Sequence, residues 1–301
     1  MDSKKLTIKR LIIFYILAIL PIIGISVGLT AAFGEPAFVS ENPEVLKWVS
    51  FTGAFGMFAP SVAHILARLI TKEGWKNNYL GFTAKKGNMR YYVFSIIYKP
   101  IEALIIVLVI RKLFLGDISF SESFNFEQPL TVISLFMFQL AGSVIIFFPA
   151  FGEEWGWRGY MMPKLLQIMP KPAAIVVGGV LWGLWHAPLT VIGHNFGVDY
   201  LGFPFLGIAL MCIFCTGTNA VLTLLTERTR SIYPASFCHM LNNNLSPVVT
   251  MSLLLNEEAV EAVSGRLSTI ESFLICFAFT LITAAICFIL FIRKNKSESE
   301  H

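Results

Sequence analysis

The feature that most constrains this chain is a series of apolar runs, each about 20 residues long, spread over its whole length. A helix needs about 20 mainly apolar residues to cross the hydrocarbon core of a bilayer. The candidate spans cover residues 11–33, 49–70, 92–110, 129–152, 172–193, 204–226, 232–254 and 270–292. With 55% hydrophobic and only 14% charged residues, the composition is typical of a protein built for lipid. The pattern predicts an all-α, polytopic membrane bundle of about eight transmembrane helices, forming one domain over residues 1–301 with a polar tail at 293–301.

The basic residues between the runs predict how the bundle sits in the membrane. Cytoplasmic loops are enriched in Lys and Arg. If the N-terminus is cytoplasmic, 18 of the 23 basic residues fall in inner segments and four in outer segments, while Lys99 lies inside the third run. We therefore expect a multi-pass protein of the cell membrane with both termini in the cytoplasm. The net charge of +4 follows from this topology and gives no support to nucleic-acid binding.

Two adjacent glutamates, Glu153 and Glu154, follow directly after the fourth run in the stretch FGEEWGWRGY. Ionised carboxylates near hydrocarbon are costly, so they are usually paired, neutral or functional. Glu154 stands four residues before Arg158, and an ion pair on one helical face would satisfy both charges. Glu153 is turned by about 100° from Glu154 and lacks that partner. We expect a structural role for Glu154 and chemistry for Glu153; the alternative is that both merely mark the end of a membrane helix.

The fifth and seventh runs carry the other polar residues of interest. His186 lies four residues after Trp182 in LWGLWH, and His239 lies four residues before Asn243 in HMLNN. Each of these features alone is also common in helix packing. Together with Glu153 they place one carboxylate, two imidazoles and one carboxamide on three predicted helices. A shared, water-filled cavity is the least costly way to keep all four solvated.

Other polar features of the chain are interpreted as packing. His64 has no comparable partner and His194 lies in an outer loop, so we expect both to be structural or incidental. All five cysteines fall within predicted spans, where buried small hydrophobic side chains are the expected reading. The run GYMMPKLLQIMPK at residues 159–171 predicts an amphipathic helix along the inner interface, either a guide for a hydrophobic peptide or a plain connection.

The three motifs together resemble those of the CAAX protease and bacteriocin-processing family of intramembrane proteases, known as the CPBP or Abi family. EEWGWR, at residues 153–158, resembles the EExxxR motif of that family. WGLWH, at 182–186, resembles its motif of an aromatic residue four positions before a histidine, with Trp182 where phenylalanine is usual. HMLNN, at 239–243, resembles HxxxN, and the region of resemblance covers about residues 129–250.

The resemblance implies hydrolysis of a peptide bond in a membrane-associated protein or peptide, which can be hydrophobic or lipidated. The distribution of basic residues places Glu153 at the inner end of the fourth run and so predicts an active site open toward the cytoplasm. The resemblance also implies two residues that activate a water, Glu153 and His186, and two that stabilise the tetrahedral oxyanion, His239 and Asn243. The residues implied to support them are Glu154, Arg158 and Trp182. The residue types suit this chemistry, because a carboxylate removed from water is a stronger base and amide or imidazole N–H groups can donate to an oxyanion.

The role of a metal is left open by the residues themselves. Glu153, His186 and His239 would make a plausible three-ligand zinc site with an open fourth position. The HExxH motif of many zinc proteases is absent, however, and asparagine is an uncommon zinc ligand. We favour a reaction without metal or other cofactor and keep zinc as the alternative.

Two other functions remain in view. A non-catalytic immunity or scaffold protein of the same fold would have no need for the full set of motif residues. A proton-coupled transporter could use Glu153, Glu154 and the histidines as a proton relay, although the sequence shows no inverted halves. For the protease, the expected partners are membrane lipid and a hydrophobic or lipidated peptide or protein substrate, with no nucleic acid.

Overall fold

The computed structural model describes residues 3–34, 36–83, 87–116, 129–245, 254–263 and 269–298. Within these ranges the architecture is helical, as the apolar runs predict. The helices are α1 (Ser3–Phe33), α2 (Pro43–Gly56), α3 (Ala59–Ile70), α4 (Met89–Phe114), α5 (Pro129–Gly156), α6 (Met162–Ile168), α7 (Lys171–Trp185), α8 (Ala187–Thr190), α9 (Phe205–Thr229), α10 (Tyr233–Asn244), α11 (Glu257–Val263) and α12 (Thr269–Glu298). A 3-10 turn at Ala37–Val39 and a π-helical turn at Trp157–Met161 complete the described structure.

Four of the described helical segments are long and apolar enough to cross a membrane. They are α1, the combined segment of α2 and α3 (Pro43–Ile70), α4 and α9. Helix α7 and the part of α12 at Phe277–Ile289 are shorter apolar helices. These helices mark a membrane protein. The count of eight spans, the single domain and the cytoplasmic termini stay predictions. Parts of the fourth, seventh and eighth runs or their side chains, and the last three residues of the polar tail, lie outside the described residues.

Two predicted spans are broken in the structure, in each case beside a proline. The second run turns at Met57 and Phe58, ahead of Pro60 in the first turn of α3. The fifth run ends at Trp185, because Pro188 has no N–H to donate to the helix, and the chain continues as the short α8. This break places His186 at the C-terminal cap of α7.

Hydropathy suggests that the fourth run ends at the two glutamates, but the helix continues beyond them. Helix α5 continues to Gly156, passes through the π-helical turn and goes on as α6. Every residue of the π-helical turn is buried, and so are Glu153 and Glu154, which are 2% and 0% exposed. The two carboxylates therefore lie inside the bundle. Single π-helical turns within helices are frequent at functional sites.

The prediction of an interfacial helix at residues 159–171 is wrong. Met161, Met162 and Leu165 are only 1%, 1% and 3% exposed, and they belong to the same core as Phe14 of α1. A helix lying along the membrane surface would instead expose one face to the lipid headgroups. These side chains fill the core and do not form a surface that could guide a peptide.

The cysteines with described side chains agree largely with the expectation of packing. Cys215, Cys238 and Cys287 are buried and Cys212 is half-buried, and all four are free thiols. The side chain of Cys276 lies outside the described part of the structure.

Helices α7 and α9 approach each other closely at two glycines. A Cβ on Gly179 would lie 2.3 Å from the Cα of Thr216, and one on Gly183 would lie 2.5 Å from the Cα of Cys212. Small residues four positions apart let the backbones of membrane helices come close. The contact fixes α7, and with it Trp182, against α9.

We expect Gly179→Ala to lower the free energy of unfolding by about 1–3 kcal/mol, because the added methyl group overlaps the backbone of α9. The midpoint of thermal unfolding of the purified protein in detergent measures this effect. Gly28→Ala in α1 is the control, since nothing lies within 4 Å of a Cβ at that position. Equal midpoints for the two variants would contradict the close crossing.

A charged cluster around Glu73 ties α1, α3 and α6 together. The carboxylate accepts hydrogen bonds from Lys164 and, at 3.2 Å, from the hydroxyl of Tyr160, and it lies 3.4 Å from Arg10 and 4.0 Å from Arg68. Burial opposes the ionisation of Glu73. The hydrogen bond and charge of Lys164, together with the charges of Arg10 and Arg68, nevertheless hold the pKa of Glu73 below its ordinary value.

His64 belongs to the edge of this cluster. Its Nδ1 donates to the carbonyl of Trp155 at 3.0 Å, and its Nε2 accepts from the Nε of Arg68 at 2.6 Å. His64 therefore has two partners that the sequence pattern did not indicate. Because both ring nitrogens are occupied and the ring is fully buried, the structure favours a packing role.

Glu73→Gln tests the electrostatic part of the cluster. Because the pKa of Glu73 is lowered by folding, its ionised form stabilises the protein above the unfolded pKa, and this stabilisation is lost as the pH falls through the folded pKa. We expect the wild type to unfold at a higher temperature than the variant at neutral pH. This difference in unfolding temperature should disappear in acid, below about pH 4. Glu41→Gln, at an exposed position, should leave unfolding unchanged at both pH values. A difference of equal size at both pH values would contradict this account.

Candidate active site

The four polar side chains predicted on three helices line one cavity. Its volume is about 650 Å³, within the range of ligand pockets in proteins. Glu153 lines it from α5, His186 from the end of α7, and His239 and Asn243 from α10. Apolar side chains cover much of the remaining wall, among them Ile22, Ile106, Met211, Phe214 and Phe277. The structure thus brings the four residues to one space, and their catalytic roles stay predictions.

Two indole rings hold the Glu153 carboxylate. Its Oε2 accepts from the Nε1 of Trp182 at 3.0 Å and from the Nε1 of Trp157 at 3.4 Å. Within the described residues Glu153 forms no ion pair with a Lys or Arg. Neutral donors orient a carboxylate without cancelling its charge, so that charge remains available to a water or a proton in the cavity.

Glu154 has a separate set of partners. Its Oε1 accepts from the Nη1 of Arg158 at 2.8 Å and from the Nδ1 of His239 at 2.7 Å. Glu154 and Arg158 are 0% and 1% exposed, and the guanidinium carbon of Arg158 lies 4.0 Å from the ring centre of Trp182. The four-residue spacing predicted the pairing of Glu154 with Arg158. The hydrogen bond to His239 follows only from the tertiary structure.

His239 is oriented by this bond. Because Nδ1 faces the carboxylate of Glu154, Nε2 is the ring atom left for the cavity. The imidazole also packs edge-to-face on Trp182, with 5.5 Å between the ring centres. One turn further along α10, the exposed Asn243 accepts from the amide of Asn242 at 3.3 Å. The next residue, Asn244, is buried and donates to Ser143 of α5.

His186 reaches the cavity because α7 ends at this point. Its Nδ1 donates to the carbonyl of Trp182 at 2.9 Å, which leaves Nε2 with a lone pair. The imidazole packs edge-to-face on Trp185 at 4.8 Å between ring centres. Since α5 runs on beyond Glu153 into the bundle, Glu153 and His186 share the neighbourhood of Trp182.

The cavity also contains residues that the motifs did not single out. His194, expected to be incidental, stacks on His186 with 6.0 Å between ring centres and 2° between ring planes. Lys99 and Glu102 line the wall from α4. No spacing rule could have linked His194 to the site, because a loop carries it there. Lys99 and Glu102 did carry a signal, as two charges inside an apolar run.

Two loops contribute to one side of the cavity through Phe38, His194 and Asn195. The charge pattern assigns both loops to the outer side of the membrane. The opening of the site toward the cytoplasm stays a prediction of the sequence.

Zinc stays the alternative that the sequence leaves open. Among the described residues, no three His, Cys, Asp or Glu side chains are grouped closely enough to hold a metal. No step is therefore derived through a metal.

Comparison with known proteins identifies a related family. Residues 128–245 match the family described as type II CAAX prenyl endopeptidase Rce1-like. A stretch of 152 residues, 47% of this chain, is 28% identical to CAAX prenyl protease 2 of Methanococcus maripaludis and covers 51% of that protein. The match thus spans about half the length of this relative. The family segment ends with α10 and contains all four cavity residues predicted to be catalytic, and both comparisons support a peptidase. Residues 128–245 are therefore similar to the Rce1-like family of type II CAAX prenyl endopeptidases, and this similarity supports the resemblance that the three motifs indicated.

Proposed function

We propose that this protein is an intramembrane endopeptidase that hydrolyses a peptide bond of a membrane-associated substrate by means of an activated water. One observation carries the proposal. Glu153, His186, His239 and Asn243 line a single cavity, and they do so within the segment that matches a family of endopeptidases. A scaffold would not require these four residues to meet, and a transporter is not favoured by the family match.

Glu153 and His186 act on the water. The Glu153 carboxylate takes one proton, and the Nε2 lone pair of His186 accepts a hydrogen bond that orients the nucleophile. The water oxygen then bonds to the carbonyl carbon and forms a tetrahedral oxyanion. When the C–N bond breaks, the proton held by Glu153 passes to the leaving amine, which restores the carboxylate.

Asn243 and His239 stabilise the oxyanion. The side-chain amide of Asn243 donates an N–H directly. Because the Nδ1 of His239 donates to Glu154, donation from its Nε2 requires the doubly protonated ring, whose charge the Glu154 carboxylate balances. A donor of this kind typically contributes about 10²–10³ to kcat.

The apolar wall of the cavity favours a hydrophobic or lipidated peptide, including a prenylated one, as the substrate. We place the protein in the cell membrane, with eight spans and both termini in the cytoplasm, on the strength of the apolar runs and the distribution of basic residues. Membrane lipid is the other expected partner.

The test is to incubate the purified protein in detergent with a farnesylated peptide that ends in a CAAX sequence. We expect release of the C-terminal tripeptide, and we expect Glu153→Gln to lower kcat by at least about 100-fold, because it removes the base. Glu44→Gln, which alters an exposed carboxylate of α2, is the matched control and should cleave at the wild-type rate. Full activity in Glu153→Gln would rule out the mechanism.

The same assay tests the choice between a metal-free reaction and a zinc site. Dialysis against a strong chelator should leave the rate unchanged. Activity that is lost on dialysis and restored by zinc alone would overturn the metal-free mechanism.

Trp182→Phe tests how Glu153 is held. The substitution keeps an aromatic ring beside Arg158 and His239 but removes the N–H that donates to Glu153 at 3.0 Å. We expect kcat to fall by about 10-fold or more, with little change in KM, since a hydrogen bond to a charged group is lost. Trp48→Phe is the control, because it removes an indole N–H that donates at 2.9 Å to a carboxylate outside the cavity, that of Glu44. Equal losses in the two variants would argue against a specific role for the Glu153 bond.

A further inference from the structure

Lys99 and Glu102 form a charged pair that the mechanism above does not use. They lie in the apolar helix α4, and Lys99 is about 15 Å along the helix from Met89. Both are only 4% exposed. Charged side chains at such depth in a membrane helix are costly and mark a functional site by default. Both side chains line the cavity that contains Glu153.

A threonine of α12 holds the pair in place. The Nζ of Lys99 donates to the Oε2 of Glu102 and, at 3.2 Å, to the hydroxyl of Thr280. The hydroxyl of Thr280 in turn donates to the Oε1 of Glu102. Both carboxylate oxygens and two of the three ammonium donors are thereby used. The third N–H of Lys99 has no acceptor within the described residues.

The charges along the cavity wall make Lys99 distinctive. It is the only Lys or Arg among the described residues that line the cavity, whereas Glu102 and Glu153 both contribute carboxylates. An anionic group that enters this space is repelled by the two carboxylates and attracted at Lys99. A charge-assisted hydrogen bond from an ammonium is also about twice as strong as a neutral one.

We propose that Lys99 binds the free C-terminal carboxylate of the peptide substrate, so that the enzyme recognises the end of the chain. The inference rests on the proposed peptidase function and names a feature of its substrate. Glu102 and Thr280 hold the ammonium in position. Because Lys99 and Glu153 line one cavity from different helices, a carboxylate bound at Lys99 sets how many residues separate the cleaved bond from the chain end.

The test compares two farnesylated peptides of identical sequence, one with a free C-terminal carboxylate and one with a C-terminal amide. For the wild type we expect kcat/KM to be at least about 10-fold higher for the acid. A ratio near one would overturn the inference and leave the peptidase function intact. Cleavage of neither peptide would overturn both.

The variant Lys99→Gln/Glu102→Gln assigns the preference to this pair. Both charges are removed together, because a single substitution would leave a buried charge without its partner. We expect the ratio of kcat/KM for the acid to that for the amide to fall to about one. An unchanged ratio would show that the pair only braces α4 against α12 and would overturn the inference.

The matched control is Lys171→Gln/Glu227→Gln, which removes an ion pair of 3.1 Å that does not line the cavity. It should keep the wild-type ratio, and a loss of preference in this control would overturn the assignment to Lys99. The wild-type comparison decides the inference even if the variant of the cavity pair fails to fold.

Discussion

The site depends on the burial of one carboxylate, that of Glu154, between Arg158 and His239. An isolated carboxylate is costly inside an apolar bundle, and removing one partner of a buried pair typically costs about 3–5 kcal/mol. The two partners offset this cost, and the carboxylate in turn orients their side chains. Both partners bond to the Oε1 atom of Glu154, whereas its neighbour Glu153 faces the cavity and accepts hydrogen bonds only from the neutral indoles of Trp157 and Trp182. Adjacent residues thus have different roles, because one step along the helix turns Glu154 toward its buried partners and Glu153 toward the cavity.

Trp182 joins these two parts of the site. Its indole N–H orients Glu153, its ring packs between Arg158 and His239, and its carbonyl holds the Nδ1 of His186. The position of such a residue must be precise. The close crossing of α7 and α9 at Gly179 and Gly183 supplies that precision, and the end of α7 after Trp185 turns His186 into the cavity.

Hydropathy predicted the helical class and the membrane setting, but it misplaced several ends. It takes a polar residue as the border of a span, and it cannot tell burial in lipid from burial in protein. Hydropathy therefore places Glu153 and Glu154 at the end of a span, although α5 continues through the π-helical turn into α6. For the same reason the run at 159–171, with Met161 and Met162 in the core, resembled a surface helix. Prolines changed the ends of two further spans by removing backbone donors.

The sequence by itself determined the all-helical class, the motif residues and the pairing of Glu154 with Arg158, because each depends on composition or on contacts within one turn of a helix. Only the tertiary structure decided which other side chains share the cavity. His239 meets Glu154 across 85 residues of chain, and Lys99 meets Thr280 across 181. Such contacts follow from how separate helices pack, and the spacing of residues along the chain carries no measure of that packing.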